Sequence, residues 1–315
     1  MSLLPVVCSA EVIRVTGSEF THKKVSESRL RSYVGFLCDS ICAGRATGSK
    51  GAGEATAWVA RQFRSLGLQT TVRSFRTATG AIGRNVLGFM PGANKEQYLI
   101  IAAHYDGLGR LDGKMYPGAD SDASGVAAML GVGAMMKEMV RIGKTWRKSV
   151  IFIALDGKNA GLSGSAALWK MLSEGSITDP TTGQPVRAGQ VALMVNIDQV
   201  GSRLSPVRKD KTSYLIMLSA GPADYHRGAL RKANERYAIG LDLGMDYYGS
   251  RDFTRMFYER VSDQKPFVEN GRQAVMFTSG ITMNNNKTWD SPETLDYTLL
   301  KKRIWLIFHW IERVI

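Results

Sequence analysis

Residues 97–106 read Gln97-Tyr98-Leu99-Ile100-Ile101-Ala102-Ala103-His104-Tyr105-Asp106, an apolar run that ends abruptly in an imidazole and a carboxyl. No polar position interrupts the run, so it predicts a strand buried on both faces, as inside an α/β sheet. Two later segments repeat the pattern. Phe152-Ile153 leads into Asp156-Gly157-Lys158-Asn159, and Met194-Val195 into Asn196-Ile197-Asp198. In open α/β sheets, ligands gather at the carboxyl ends of strands, which is where these polar groups stand.

Working outward, helical spacing predicts helices over Ser26 to Cys42 and Gly53 to Leu66, the second stopping at Gly67. Strand patterns follow over Gln69 to Arg76, Arg84 to Met90 and Gln97 to Ala103. Beyond them, helices over 123–141, 164–172 and 223–237 alternate with strands over 149–155, 191–200, 213–218 and 273–278. An amphipathic helix over 295–314 closes the chain, and 178–189 reads as a loop. The expected fold class is α/β, a three-layer sandwich with a mostly parallel central mixed sheet and helices on both faces. No long Pro/Gly/Ser linker divides it. We therefore expect an N-terminal arm over 1–25 and a single domain over 26–315.

The 315 residues are 44% hydrophobic and 22% charged, which excludes a disordered chain and suits a large core. At this length folding buries roughly 75% of the surface of the open chain. A formal charge of +13 concerns solubility and encounter partners rather than fold. Three cysteines, Cys8, Cys38 and Cys42, are too few for a disulfide scaffold. Cys38 and Cys42 are close enough for a bridge, but neighbouring half-buried thiols are the preferred reading. Only four histidines are available for metal chemistry: His22, His104, His226 and His309. No apolar run approaches the ~18 residues of a membrane helix, so no transmembrane segment is expected. Leu3 to Ala10 is apolar and ends like an export-signal cleavage site, yet it is short and lacks a basic start.

The polar strand ends belong to a longer ordered set. It contains Gly44-Arg45-Ala46-Thr47-Gly48, His104-Tyr105-Asp106, the turn Gly118-Ala119-Asp120-Ser121-Asp122-Ala123-Ser124-Gly125, and Gly161-Leu162-Ser163-Gly164-Ser165. It continues with Asn196-Ile197-Asp198, Ser262-Asp263-Gln264-Lys265-Pro266-Phe267 and Asp290-Ser291-Pro292. From about Ser26 to the C-terminus, the chain resembles the di-zinc aminopeptidases of the bacterial leucyl aminopeptidase type, which include the glutaminyl cyclases.

That resemblance implies two zinc ions joined by a bridging carboxylate and hydroxide, with a glutamate as general base. It assigns one metal to His104 and Asp198, and makes Asp106 the carboxylate that orients His104. Elsewhere the chain departs from the family pattern. The bridging acid corresponds to Ser121, the general base to Lys158, the next ligand to Asn159 and the last histidine to Asn286, beside Lys287. Gln264 replaces a further histidine. Hydroxyl and amide groups are poor zinc ligands, and the single zinc of a cyclase would use the three positions that are lost. An ammonium at Lys158 repels dications and offers Asp198 or Asp106 a partner instead.

The implied function is a zinc-aminopeptidase-like protein that has lost hydrolysis, needs no cofactor, and binds a peptide, a small ligand or a protein through the former cleft. Lys158, Asp198, His104, Asp106, Ser121, Asn159 and Asn286 are expected to line that cleft. The alternative is an active metallo-exopeptidase in which a shifted turn presents Asp120 or Asp122 to zinc. Asp122 is also placed to cap the following helix. Nucleic-acid or envelope-polymer binding by basic segments (Arg203 to Lys211; Lys301 to Arg303) lacks the aromatic interleaving that stacks bases. Gly44 to Gly51 is one residue short of a phosphate loop, and Gly161 to Ser165 is not a nucleophile elbow. The resemblance implies a periplasmic or secreted location.

Overall fold

The computed structural model describes residues 20–203, 212–219, 223–247 and 249–315. Helix α1 (Glu27–Cys38) begins where Ser26 Oγ accepts the Arg29 amide, and α2 (Lys50–Ser65) where Ser49 Oγ accepts the Ala52 amide. The start of α2 precedes the expected Gly53, because the capping hydroxyl rather than the first apolar position decides where a helix begins.

Strands β1 (Gln69–Arg76), β2 (Ile82–Met90), β3 (Asn94–His104), β4 (Lys148–Leu155), β5 (Val191–Ile197), β6 (Tyr214–Ser219), β7 (Asp242–Gly244) and β8 (Ala274–Thr278) form one sheet. Its order is β1-β2-β4-β3-β5-β8-β6-β7. Both neighbours of β3 run parallel to it, as β8 does to β5 and β7 to β6. The β1–β2, β2–β4 and β8–β6 pairs are antiparallel, so the sheet is mixed as expected.

The unbroken apolar run of β3 has a direct cause. Leu99, Ile101 and Ala103 enter a core shared with α1, α2, α3 (Ser124–Arg141) and α8 (Tyr297–Val314). Tyr98, Ile100 and Ala102 enter a second core with Leu168 and Leu172 of α4 (Ser163–Glu174) and with Phe267 of α7 (Lys265–Glu269). A third cluster joins β6 to Phe257 and Tyr258 of α6 (Arg251–Arg260). Helix α5 (Ala223–Arg236) packs beside α8.

Several features depart from the sequence expectations. Antiparallel pairs at 109–116 and 177–186, the strand β7 and the helices α6 and α7 were not anticipated; the strands among them are two or three residues long, too short for periodicity to reveal. The 177–186 pair lies partly within the expected loop, closed by Asp179, whose Oδ1 accepts the Thr181 amide. Residues 119–141 satisfy the length and composition of a membrane span, with mean hydropathy 1.2, because such a window tolerates a few charges. Of that window, 83% is buried against the sheet, so its apolarity is accounted for by the core. Cys38 and Cys42 are free thiols, fully buried rather than half-buried, and burial pushes them up to about 12 and about 11. Cys8 and most of the Arg203 to Lys211 segment lie outside the described residues.

Arg45 ties the first helix to the loops beneath the site. Its fully buried guanidinium donates to the carbonyls of Tyr105 (2.6 Å), Pro117 (2.7 Å) and Gly118 (2.9 Å), and also to that of Leu37. Arg45→Met leaves these acceptors without a charged donor. We expect a loss of about 3 kcal/mol or more in urea unfolding; a loss under about 1 kcal/mol would show that the loops hold without it.

Candidate functional site

Because β4 and β5 flank β3 in parallel register, their carboxyl ends bring Lys158, His104 and Asp198 together. His104 and Asp198 are buried, and the Lys158 side chain is 14% exposed. His104 Nδ1 lies 3.1 Å from the Asp106 carbonyl and 3.3 Å from Asp106 Oδ1, which places the ring proton on that nitrogen. Asp106 also accepts the amides of Lys158 (3.0 Å) and Asn159 (2.8 Å) and the Asn159 side chain (3.1 Å). It therefore orients the imidazole as expected and anchors the turn that follows β4.

Lys158 Nζ sits 2.7 Å from Asp198 Oδ2 and 3.1 Å from His104 Nε2. An ammonium only donates, so this contact has Nε2 accepting with the ring proton on Nδ1. Burial and Lys158 disfavour charge on the imidazole, while Asp122, Asp106 and Asp198 outweigh them and raise its pKa to about 10. Burial alone would raise the Asp198 carboxyl, but the Lys158 ammonium outweighs it and holds the group well below the usual carboxylate range. Burial works against the charge on Lys158; Asp198 and Asp122 outweigh it and raise the ammonium's pKa. Ser262 Oγ supplies a further hydrogen bond to Asp198 Oδ2, at 2.6 Å.

The turn over 118–125 resolves the three acidic and hydroxyl positions. Asp120 Oδ1 accepts from Ser124 Oγ (3.0 Å) and the Gly201 amide (2.8 Å), a bracing role that faces it away from His104. Asp122 Oδ1 accepts the Gly125 amide at 3.1 Å, the expected helix-start bond, and the Gln199 amide at 2.9 Å. Among the described residues its Oδ2 has no hydrogen-bond partner, and it lies 4.0 Å from His104 Nε2. His104, Asp122 and Asp198 thus each offer a ligand atom, all within 4.8 Å of one another. Burial raises Asp122 well above its ordinary value, with Asp198 adding to the effect. A Cβ on Gly125 would stand 2.4 Å from the Asp122 carboxylate, so only glycine permits this approach.

Ser121, Asn159 and Asn286 line a separate small cavity of about 10 Å³, together with Tyr116, Lys287 and Asp290. That is room for about one water. Lys158, His104 and Asp198 are not among the residues lining this cavity. Asp290 accepts the amides of Asp120 (2.9 Å) and Ser121 (3.2 Å), and burial pushes it up to about 6. Gln264 does not line it either, and is bonded to Asn196 (2.8 Å) and to the Tyr258 carbonyl (2.6 Å) within the core. Asp156 is likewise structural, accepting from Thr47 Oγ1 (2.8 Å) and the Arg84 amide (2.9 Å). Gly164 is required here, since a Cβ would stand 1.8 Å from the Asp156 carbonyl.

Two residues were missed as members of the site. Ser262 bonds Asp198, and Asp263 is buried, with burial pushing its carboxyl up to about 6. Both belong to the quoted 262–267 motif, where the replaced histidine drew attention away from its neighbours.

The ion pair generates a pH-dependent expectation. Asp198 is depressed in the folded state, so its contribution is complete above the unfolded value near ~4 and is lost as pH falls below it. Lys158→Met, measured in chelator, is expected to cost about 3–5 kcal/mol near neutrality, because it leaves a buried carboxylate unpaired. The gap from the wild type should close on acidification below ~4. A pH-independent difference in urea midpoint would contradict the pairing.

Residues 85–311 match Peptidase family M28. The fold is similar to that of LapA aminopeptidase from Legionella pneumophila, with 16% identity and a TM-score of 0.71 over 100% of this chain and 77% of that one. It is also similar to BSAP, a zinc aminopeptidase from Bacillus subtilis (14%, 0.69, 92% and 95%), and to a glutaminyl cyclase from Fimbriiglobus ruber (17%, 0.68, 91% and 95%). With the family match spanning well over half of its length and the sheet, strand ends and turn arranged as described, the chain belongs to peptidase family M28.

Proposed function

We propose that this M28 domain does not hydrolyse peptides by a two-zinc mechanism and serves as a non-catalytic binding domain for a peptide, small ligand or protein. One observation carries the reading: Lys158 Nζ occupies the accepting nitrogen of His104 and an oxygen of Asp198. Zinc would need the lone pair of that same Nε2, which the facing ammonium claims and which the surrounding carboxylates also make readier to hold a proton. The small cavity offers a hydroxyl and two amides from Ser121, Asn159 and Asn286, where zinc takes nitrogen, thiolate or carboxylate. These residues do not fit a zinc pair.

Binding by this face is supported by the loop carrying Asn286. Its Met283 and Trp289 are 81% and 59% exposed, bracketing the polar cavity with apolar surface. With about 10 Å³ of room, the cavity as it stands admits little more than a water, so a larger ligand requires that loop or Lys287 to move. An exported location, periplasmic or secreted, is part of this reading and rests on the family resemblance alone.

One feature favours the metallopeptidase alternative. Asp122 Oδ2 and Asp198 Oδ1 lack hydrogen-bond partners and both face His104 Nε2, so a single cation would find three donors if Lys158 swung away. Zinc titration followed by metal analysis, with a leucyl-anilide cleavage assay, separates the readings. The wild type is expected to retain no stoichiometric zinc and to cleave nothing. The combined variant Ser121→Asp, Lys158→Glu, Asn159→Glu, Asn286→His should acquire zinc. Stoichiometric zinc together with cleavage by the wild type would sink the proposal.

A further inference from the structure

A basic concavity lies far from these strand ends, between α5, the C-terminal turn of α8 and the turn after α3. It is a cavity of about 670 Å³. Lys232 and Arg236 enter from α5, Arg313 from α8 and Lys144 from the turn, against a single carboxylate, Glu312. That carboxylate is already engaged on both sides, by Lys144 at 2.7 Å and by His309 Nδ1 at 2.7 Å. Among the described residues, no carboxylate lies within 4.0 Å of Lys232, Arg236 or Arg313. The pocket carries a net three positive charges with no internal answer.

Two features of α5 break local helix rules in favour of this arrangement. Lys232 and Arg236 are four apart, so like charges share one face of the helix and repel. Gly228, four residues earlier on that face, is an interior helical glycine, and a Cβ there would meet nothing within 4 Å. The residue that would stabilise the helix is missing where a side chain would fill the cavity. A basic residue at a helix end complements the helix dipole, and that accounts for Arg236 and Arg313. It accounts for neither Lys232, nor Lys144 on a third element, nor the open space over Gly228. The walls are fixed in place: Trp310 Nε1 donates to the His226 carbonyl at 3.1 Å, and Tyr225 OH to the Arg313 carbonyl at 3.2 Å.

We propose that this pocket binds a phosphorylated ligand, its phosphate groups held between Lys232, Arg236 and Arg313 and its remaining part lying over Gly228 against Tyr225 and Tyr237. Three donors converging from two helices suit a multiply charged oxyanion better than a single carboxylate. The source is either a free phosphate compound or the headgroup of an anionic lipid, and both present the same chemistry.

Calorimetric titration with pyrophosphate and co-sedimentation with phosphatidylcholine–phosphatidylglycerol vesicles test this with the full chain. Binding is expected in at least one arm. Lys232→Gln/Arg236→Gln should weaken it about tenfold or more, and Gly228→Glu should do the same by placing a carboxylate in the open space. Arg110→Gln/Lys114→Gln removes the same charge from an exposed hairpin and should leave binding within about twofold. Pyrophosphate binding alone would assign a soluble ligand, vesicle binding alone a headgroup, and either supports the site. No binding in both arms, or equal weakening by the hairpin variant, would overturn it.

Discussion

A carboxylate buried at the end of β5 must be compensated, and the rest of the site follows from how this chain does so. Asp198 is 1% exposed, in a place where an isolated anion would cost several kcal/mol. The strand ends of a parallel sheet converge, so whatever stands after β4 is within reach of that anion. Here it is an ammonium. Lys158 is itself positioned by its backbone, because its amide donates to Asp106, the same carboxylate that orients His104. The cation, the imidazole and both acids therefore form one mutually determined unit. Moving any one of them leaves another with a buried, unmatched charge.

The surrounding scaffold is held by groups whose duties are mechanical. Asp120 braces Gly201, Asp290 receives the amides of the 118–125 turn, and Arg45 gathers carbonyls from α1 and two loops. None of these bonds depends on what lies between Asp198 and His104. A family whose turns are built this way can change the charge at the centre while the walls stay where they are. For the same reason, persistence of the walls says little about chemistry. His104 and Asp106 are also fully buried and bonded to each other, which is sufficient to retain them without any reaction to perform.

The parts of the fold legible in the sequence are those where burial dictates composition. The unbroken run of β3 and the repeated polar strand ends pointed to a parallel core, whereas a partner for Lys158, either Asp198 or Asp106, came from the family resemblance. Asp122 was only half legible. Its helix-capping bond is a local pattern, whereas the direction of its second oxygen depends on the path of the backbone between Gly118 and Ser124. Ser262 and Asp263 approach from a loop distant in sequence, and no spacing rule links them to β5. Gln264 stands behind the site: Asn196 donates both to its side-chain oxygen and to Ser262, which in turn bonds Asp198.

Charge is distributed on two scales in this molecule. At the centre, each cation has a carboxylate within hydrogen-bond distance, so little net field leaves the site and a high formal charge of +13 has to be carried elsewhere. Part of it is carried by the cluster over α5 and α8, where Glu312 is consumed by Lys144 and His309. A long-range field attracts anions to a protein, but only a concave arrangement with fixed walls selects among them. The α5–α8 pocket has that concavity, at about 670 Å³, whereas the cavity beside Asn286 has only about 10 Å³. The basic pocket and the cluster of Lys158, His104 and Asp198 are therefore physically separate. Lys158 is bound into the buried charge network of the core, while Lys232 stands on a wall of the basic pocket.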